Sequence, residues 1–209
     1  MKYRELVYMC LDEIKLASDD SYITEDHILF LISKYRAFLL RQKYEKTNMP
    51  VSFSNYQLIE SSDGNYVPPI MSIAKPIVTY ADDNDKIIHL TYVSPHRYLF
   101  VGNNKTLQSI KYCTIDMDNC FRCAKYTDGV SIYAVFEDIL ESSKKSIENQ
   151  NIDILDLTCP IEAELVSGVQ ELVVKDALGI AYRPKDIINN ANDDLSSLGI
   201  VSGNPKNNK

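Results

Sequence analysis

Cys120-Phe121-Arg122-Cys123 sets two thiols at C-x-x-C spacing, with Cys113 seven positions earlier. Zinc asks for four ligands, usually as two such pairs. No second pair is present, so His89, His96 or Cys159 would have to complete a site. A thioredoxin-like use of the pair needs a helix start after a strand in a βαβ unit, and the surroundings do not supply one. Thiols packed in strands are the preferred reading. His27, His89 and His96 form no H-x-x-x-H pair and adjoin no carboxylate pair, so each is read as structural. Neither a phosphate-binding glycine loop nor a G-x-S-x-G elbow occurs among the seven glycines. Asp82-Asp83-Asn84-Asp85 lacks the glycine and closing glutamate of an EF-hand loop and reads as a solvated hairpin tip. Residues 34–46 are basic with Tyr35, Phe38 and Tyr44 interleaved, a pattern that can meet phosphate. The same cations suit the negative end of a helix dipole, and that structural reading is preferred. No catalytic, cofactor-binding or metal-ligating residue is therefore expected, and an enzyme is not the expected class.

The elements that would position these residues fall into three blocks. Leu6, Val7, Cys10, Leu11 and Ile14 recur with a 3.6-residue period and predict a helix over 3–17. Thr24 is the candidate N-cap of a second helix, with Glu25 and Asp26 in its first turn. Ile28, Leu31, Ile32, Tyr35, Leu39 and Leu40 carry its stripe to an end near Tyr44, before Pro50. Such a hairpin cannot bury a stable core alone and needs a layer from elsewhere in the chain or from another subunit. From 52 to 126 the helical period disappears. Apolar runs at 70–80, 86–93, 97–101 and 107–115 alternate with turn signals such as Asp63-Gly64 and Ser94-Pro95, and 131–137 adds a further strand. Residues 138–149 read as a short helix or a loop. Pro160 fits a first helical turn, and Ile161, Leu165, Val169, Leu172 and Val173 form the apolar face up to a closing Gly179. Pro184 opens a last helix with Ile187, Ile188, Ala191 and Leu195 inward, closed by Gly199.

The expected fold class is α+β: a helical domain formed by N- and C-terminal helix pairs, with an inserted antiparallel β lobe. The expected divisions are a hairpin at 1–50, the β lobe at 51–137, completing helices at 138–199 and a flexible tail at 200–209. Leu31, Tyr35, Leu39, Leu165, Val169, Ile187 and Leu195 are the candidate interface residues. Helical cores left incomplete within one chain would finish against neighbouring copies.

The 209 residues are 45% hydrophobic and 24% charged, which is globular usage. No apolar run approaches the roughly 18 residues of a membrane helix, so no membrane partner is expected. Met1-Lys2-Tyr3-Arg4-Glu5 runs directly into an amphipathic pattern, so export is not expected. With five cysteines, an odd number, reduced thiols are the default. The net charge of −7 is concentrated late: residues 131–209 carry 7 positive and 13 negative charges. A sequence-specific DNA reader usually shows the opposite sign.

Two blocks resemble structural proteins of crAss-like bacteriophages. The first is Glu5-Leu6-Val7-Tyr8-Met9-Cys10-Leu11-Asp12-Glu13-Ile14-Lys15-Leu16 with its continuation through 18–32 and 35–44. The second lies in 160–195, above all Tyr182-Arg183-Pro184-Lys185-Asp186-Ile187-Ile188-Asn189-Asn190-Ala191. Together they cover about a third of the chain, and the β segment is similar only loosely. The resemblance implies a virion component: a ring or adaptor protein of the head–tail connector beneath the portal. It implies a self-assembled ring, twelvefold in that family, contacting the portal and adjoining tail or ring proteins. DNA would pass through the channel without sequence-specific binding during genome ejection. No cofactor is implied, and assembly would take place in the bacterial host cytoplasm. Two other classes stand beside it: a nucleic-acid-binding phage module using 34–46 and tyrosine-bearing strands, and a small enzyme with a zinc site around Cys113, Cys120 and Cys123.

Overall fold

The computed structural model describes residues 1–17, 23–47, 49–81, 86–101, 110–123, 129–146 and 152–181. Helix α1 spans Tyr3–Ala17 and buries Tyr3, Leu6, Val7, Cys10, Leu11 and Ile14, the stripe that its period predicts. Helix α2 spans Glu25–Thr47. Thr24 Oγ1 accepts from the His27 amide at 3.3 Å, satisfying one orphan donor of the first turn. The helix outruns its expected end at Tyr44 by three residues. Its buried positions wrap most of the way round, because helices flank α2 on one side and Met71 and Val135 pack on the other.

Helix α5, Ala163–Ala181, departs from expectation at both ends. Pro160 stands before the helix and not in its first turn, because its carbonyl is engaged elsewhere, as described below. Gly179 lies inside the helix and does not close it. Val169, Val173 and Ala177 form the buried stripe of α5. A Cβ added at Gly168 would sit 3.2 Å from Leu39 Cδ1, so the glycine marks the close approach of α5 to α2. The last expected helix, with Ile187 and Leu195, and the expected tail lie outside the described residues, as does Asp82-Asp83-Asn84-Asp85.

The N-terminus is stitched to the segment that precedes α5. Tyr3 N donates to Leu157 O and Cys159 N to Met1 O, both at 3.0 Å. As a result α1, α2 and α5 share one apolar core, which Ile139 of α4 (Ile139–Ser146) also enters. The N- and C-terminal helices form one layer, as expected. Among the described residues α5 covers the α1–α2 hairpin, so the layer that the hairpin needs comes from elsewhere in the chain.

Among the described residues the sheet has six strands: β1 Gln57–Ser61, β2 Ile77–Ala81, β3 Ile87–Tyr92, β4 Tyr112–Ile115, β5 Phe121–Cys123 and β6 Val130–Ala134. Their order is β1-β6-β2-β3-β4-β5. Four pairings are antiparallel, and β3–β4 is parallel. The lobe is therefore mixed and not purely antiparallel. A parallel neighbour needs a crossover, and the link from β3 to β4 contains helix α3, Pro95–Val101. The strand expected over 97–101 is thus a helix: Pro95 occupies its first turn, where a missing N–H costs nothing. The sheet curls until the link after β1 meets β5. Gly64 N donates to Phe121 O at 2.8 Å and Val67 N to Asn119 O at 2.7 Å. Gly64 (φ +81) and Asn119 (φ +56) take left-handed conformations there, which glycine adopts freely and asparagine tolerates. Ile59, Val78, Leu90, Phe121, Ile132 and Phe136 fill the curl.

Arg36 joins the two layers. Its side chain is fully buried, at 0% exposure. Nε donates to Pro160 O at 2.6 Å, Nη1 to Phe136 O at 3.0 Å and Nη2 to Asn55 O at 2.8 Å. These carbonyls come from the approach to α5, the end of the β6 segment and the 3₁₀ turn before β1. Burial lowers the guanidinium pKa to about 10, which leaves it charged at neutral pH. Lysine cannot reproduce the planar fork. R36K should lower unfolding free energy by about 3 kcal/mol or more, through charge-assisted bonds lost to buried carbonyls. Urea titration followed by circular dichroism measures it.

Candidate functional site

One accessible feature of the helical layer is a groove along α2, with a cavity volume of about 430 Å³. Phe30, Lys34, Phe38 and Arg41 recur at three- and four-residue spacing and line it, above a floor of Ser33 and Ala37. Phe30 is 59% exposed and Phe38 54%. The opposite lip is Glu137 and Asp138, just after β6. Asp138 is held from below: Ser33 Oγ donates to its Oδ1 at 3.1 Å, and the same oxygen caps α4 through Leu140 N at 2.8 Å. Arg41 pairs with Glu137. Lys34 Nζ pairs with Asp176 of α5 at 2.9 Å, and Tyr35 donates to the same carboxylate at 2.8 Å. The groove is thus formed by side chains already fixed within the chain.

The basic stretch of α2 is largely neutralised internally. Lys43 Nζ reaches Glu162 Oε2 at 2.6 Å and Glu164 Oε2 at 3.1 Å. Together with buried Arg36 and paired Lys34 and Arg41, these cations knit α2 to its neighbours and do not present a free row of charge to phosphate. Glu162 also accepts from Tyr44 and from the Asn55 side-chain amide. Partial burial pushes its carboxyl up, but the bonds from Lys43, Tyr44 and Asn55 outweigh this and hold it below the usual range.

Of the candidate interface residues, Leu31 and Val169 lie in the shared helical core, with half-buried Tyr35, Leu39 and Leu165 packed against it. The structure brings these five together at the contact between α2 and α5 of the same chain. Ile187 and Leu195 lie outside the described residues. Phe30 falls off the apolar stripe, so helical periodicity does not point to it. The available signal was two phenylalanines eight apart, flanking Lys34 on the polar side of the helix.

Cys113 and Cys123 face each other across β4 and β5, while Cys120 lies in the turn before β5. His89 and His96 are exposed on β3 and α3. Among the described residues no group of three or more His, Cys, Asp or Glu is placed to hold a metal ion, so the zinc alternative finds no ligand set there. Burial pushes the thiols of Cys10, Cys113 and Cys159 up to about 12.

The polar groups singled out in α2 thus hold layers together, and what faces solvent is an apolar groove with a fixed acidic lip. The chain belongs to the phage tail ring protein 2 family, whose sequence model matches residues 5–195. Ring protein 2 of Bacteroides phage crAss001 is similar to it, 40% identical over 93% of this chain and 98% of its own length. The protein is a structural ring protein of a crAss-like bacteriophage virion, as the two terminal blocks implied. No described helix is long and apolar enough to cross a membrane.

Two outcomes follow from the polar network and the thiols. Because the Glu162 pKa is depressed in the fold, its contribution is present above the ordinary carboxylate value near 4.5 and is lost as pH falls through the lowered one. E162Q should be less stable than the natural chain at neutral pH by about 2 kcal/mol and lose less on acidification, in melts recorded from about pH 6 to pH 3. A maleimide at neutral pH should label Cys120 first among the described cysteines. C120S should remove that fast phase, with Cys10, Cys113 and Cys159 reacting only after unfolding.

Proposed function

We propose that this ring belongs to the head–tail connector, beneath the portal and around the path of the DNA. The carrying observation is the family match over 5–195, a family of tail ring proteins. The charge distribution supports it: with 13 acids against 7 bases in residues 131–209, the late part of the chain suits a surface that DNA slides past. The internal pairing of Lys34, Arg41 and Lys43 supports the same reading, since a channel wall must not grip phosphate. The ring contains twelve copies, as the resemblance implies, and its neighbours along the tail axis are the portal and further ring proteins. Tyr35, Leu39 and Leu165, half-buried where α2 meets α5, extend the contact between copies. The subunits assemble in the host cytoplasm, and the ring guides the genome outward on ejection.

Cryo-electron microscopy of virions tests this. The expected result is ring density directly below the portal that accepts the three-helix layer and the curled sheet in each of twelve copies. A ring at the distal tail, or a chain missing from the particle, would overturn the connector assignment. Light scattering of the purified chain with purified portal should show a shared complex.

A further inference from the structure

A closed ring needs a heterologous contact, in which one patch of each copy meets a different patch of the next. The α2 groove is one such patch: concave, walled by Phe30 and Phe38, and acidic at its far lip. Glu137 there is neutralised by Arg41, which leaves Asp138 without a cation among the described residues. In a ring of more than two copies the groove meets a different patch of the next copy and not a second groove. The complementary patch must be convex, apolar and basic.

Helix α3 has those properties. None of its seven residues is buried. Tyr98 is half-buried in α3, which packs on β4. Arg97 and Phe100 stand three apart and so share the outward face. Phe100 is 77% exposed, and Arg97 has no ion pair among the described residues. Phe30 and Phe38 lie two turns apart, about 12 Å along α2. Lys34 stands between them with its ammonium drawn to Asp176, so a ring seated there lies over the Lys34 stem, and a cavity of about 430 Å³ admits it together with an arginine stem.

We propose that the α2 groove receives α3 of a second copy of this chain, with Phe100 seated between Phe30 and Phe38 and Arg97 against Asp138. The proposal rests on the ring reading and names its copy-to-copy contact. The full chain is tested by light scattering over graded concentration, with circular dichroism checking each fold. F38D and F100D should each raise the half-assembly concentration at least about tenfold. D138N keeps the α4 cap but removes the charge. D138N and R97Q should each raise it about three- to fivefold, and the double variant should be no worse than the single ones. If the natural chain assembles and F38D and F100D assemble equally well, this contact is overturned while the ring stands. If the free chain stays monomeric, the virion map decides. Residues 38 and 100 of adjacent copies in contact support the proposal, and the same residues apart overturn it. A virion without any ring of this chain overturns the ring reading itself.

Discussion

A guanidinium with no carboxylate beside it governs this molecule. Burying a charge is costly unless its hydrogen bonds are all made. Arg36 makes them to three backbone carbonyls, at Asn55, Phe136 and Pro160, each where a regular element has just ended or is about to begin. Such carbonyls lie outside the ladder and would otherwise be orphans in the interior. One side chain thus relieves three backbone groups, and does so only if α2, the end of the sheet and the approach to α5 arrive together. Asn55 extends the arrangement: its carbonyl serves Arg36, while its side-chain amide reaches Glu162, which also holds Lys43 and Tyr44. Two linked polar centres therefore set the angle between the helical layer and the sheet.

Much of the helical layer was readable from periodicity. The α1 stripe and the Thr24 cap stand where spacing put them, because both are local properties. What failed was tertiary. Pro160 has the sequence of a first helical turn, but Arg36 holds its carbonyl and the helix waits until Ala163. Gly179 reads as a stop, yet α5 continues through it, at a propensity cost of about 1 kcal/mol. The aromatic and β-branched residues of 97–101 read as a strand, while Pro95 opens a helix there. In β1 the inward positions are Ile59 and Ser61, so the usual apolar alternation is disguised. Arg36 could not be found at all: within a run of basic residues, nothing local marks the one that will be buried.

The same helix carries the architecture inward and the assembly surface outward. Ile28, Ile32 and Leu40 of α2 face buried surroundings, whereas Phe30 and Phe38 stand in solvent. Among the described residues α1, α2 and α5 share one core within a single copy. Its exposed aromatics, Phe30 and Phe38, lie outside that core.

The pairing of Met1 and Tyr3 with 157–159 has a consequence for synthesis. The ribosome releases α1 and α2 long before the residues that cover them, with the entire sheet made in between. The groove and its acidic lip, which needs 137 and 138, therefore take shape late in translation. A product truncated before 157 lacks both the strand-like partner of the N-terminus and α5, and so leaves the buried face of α1 uncovered.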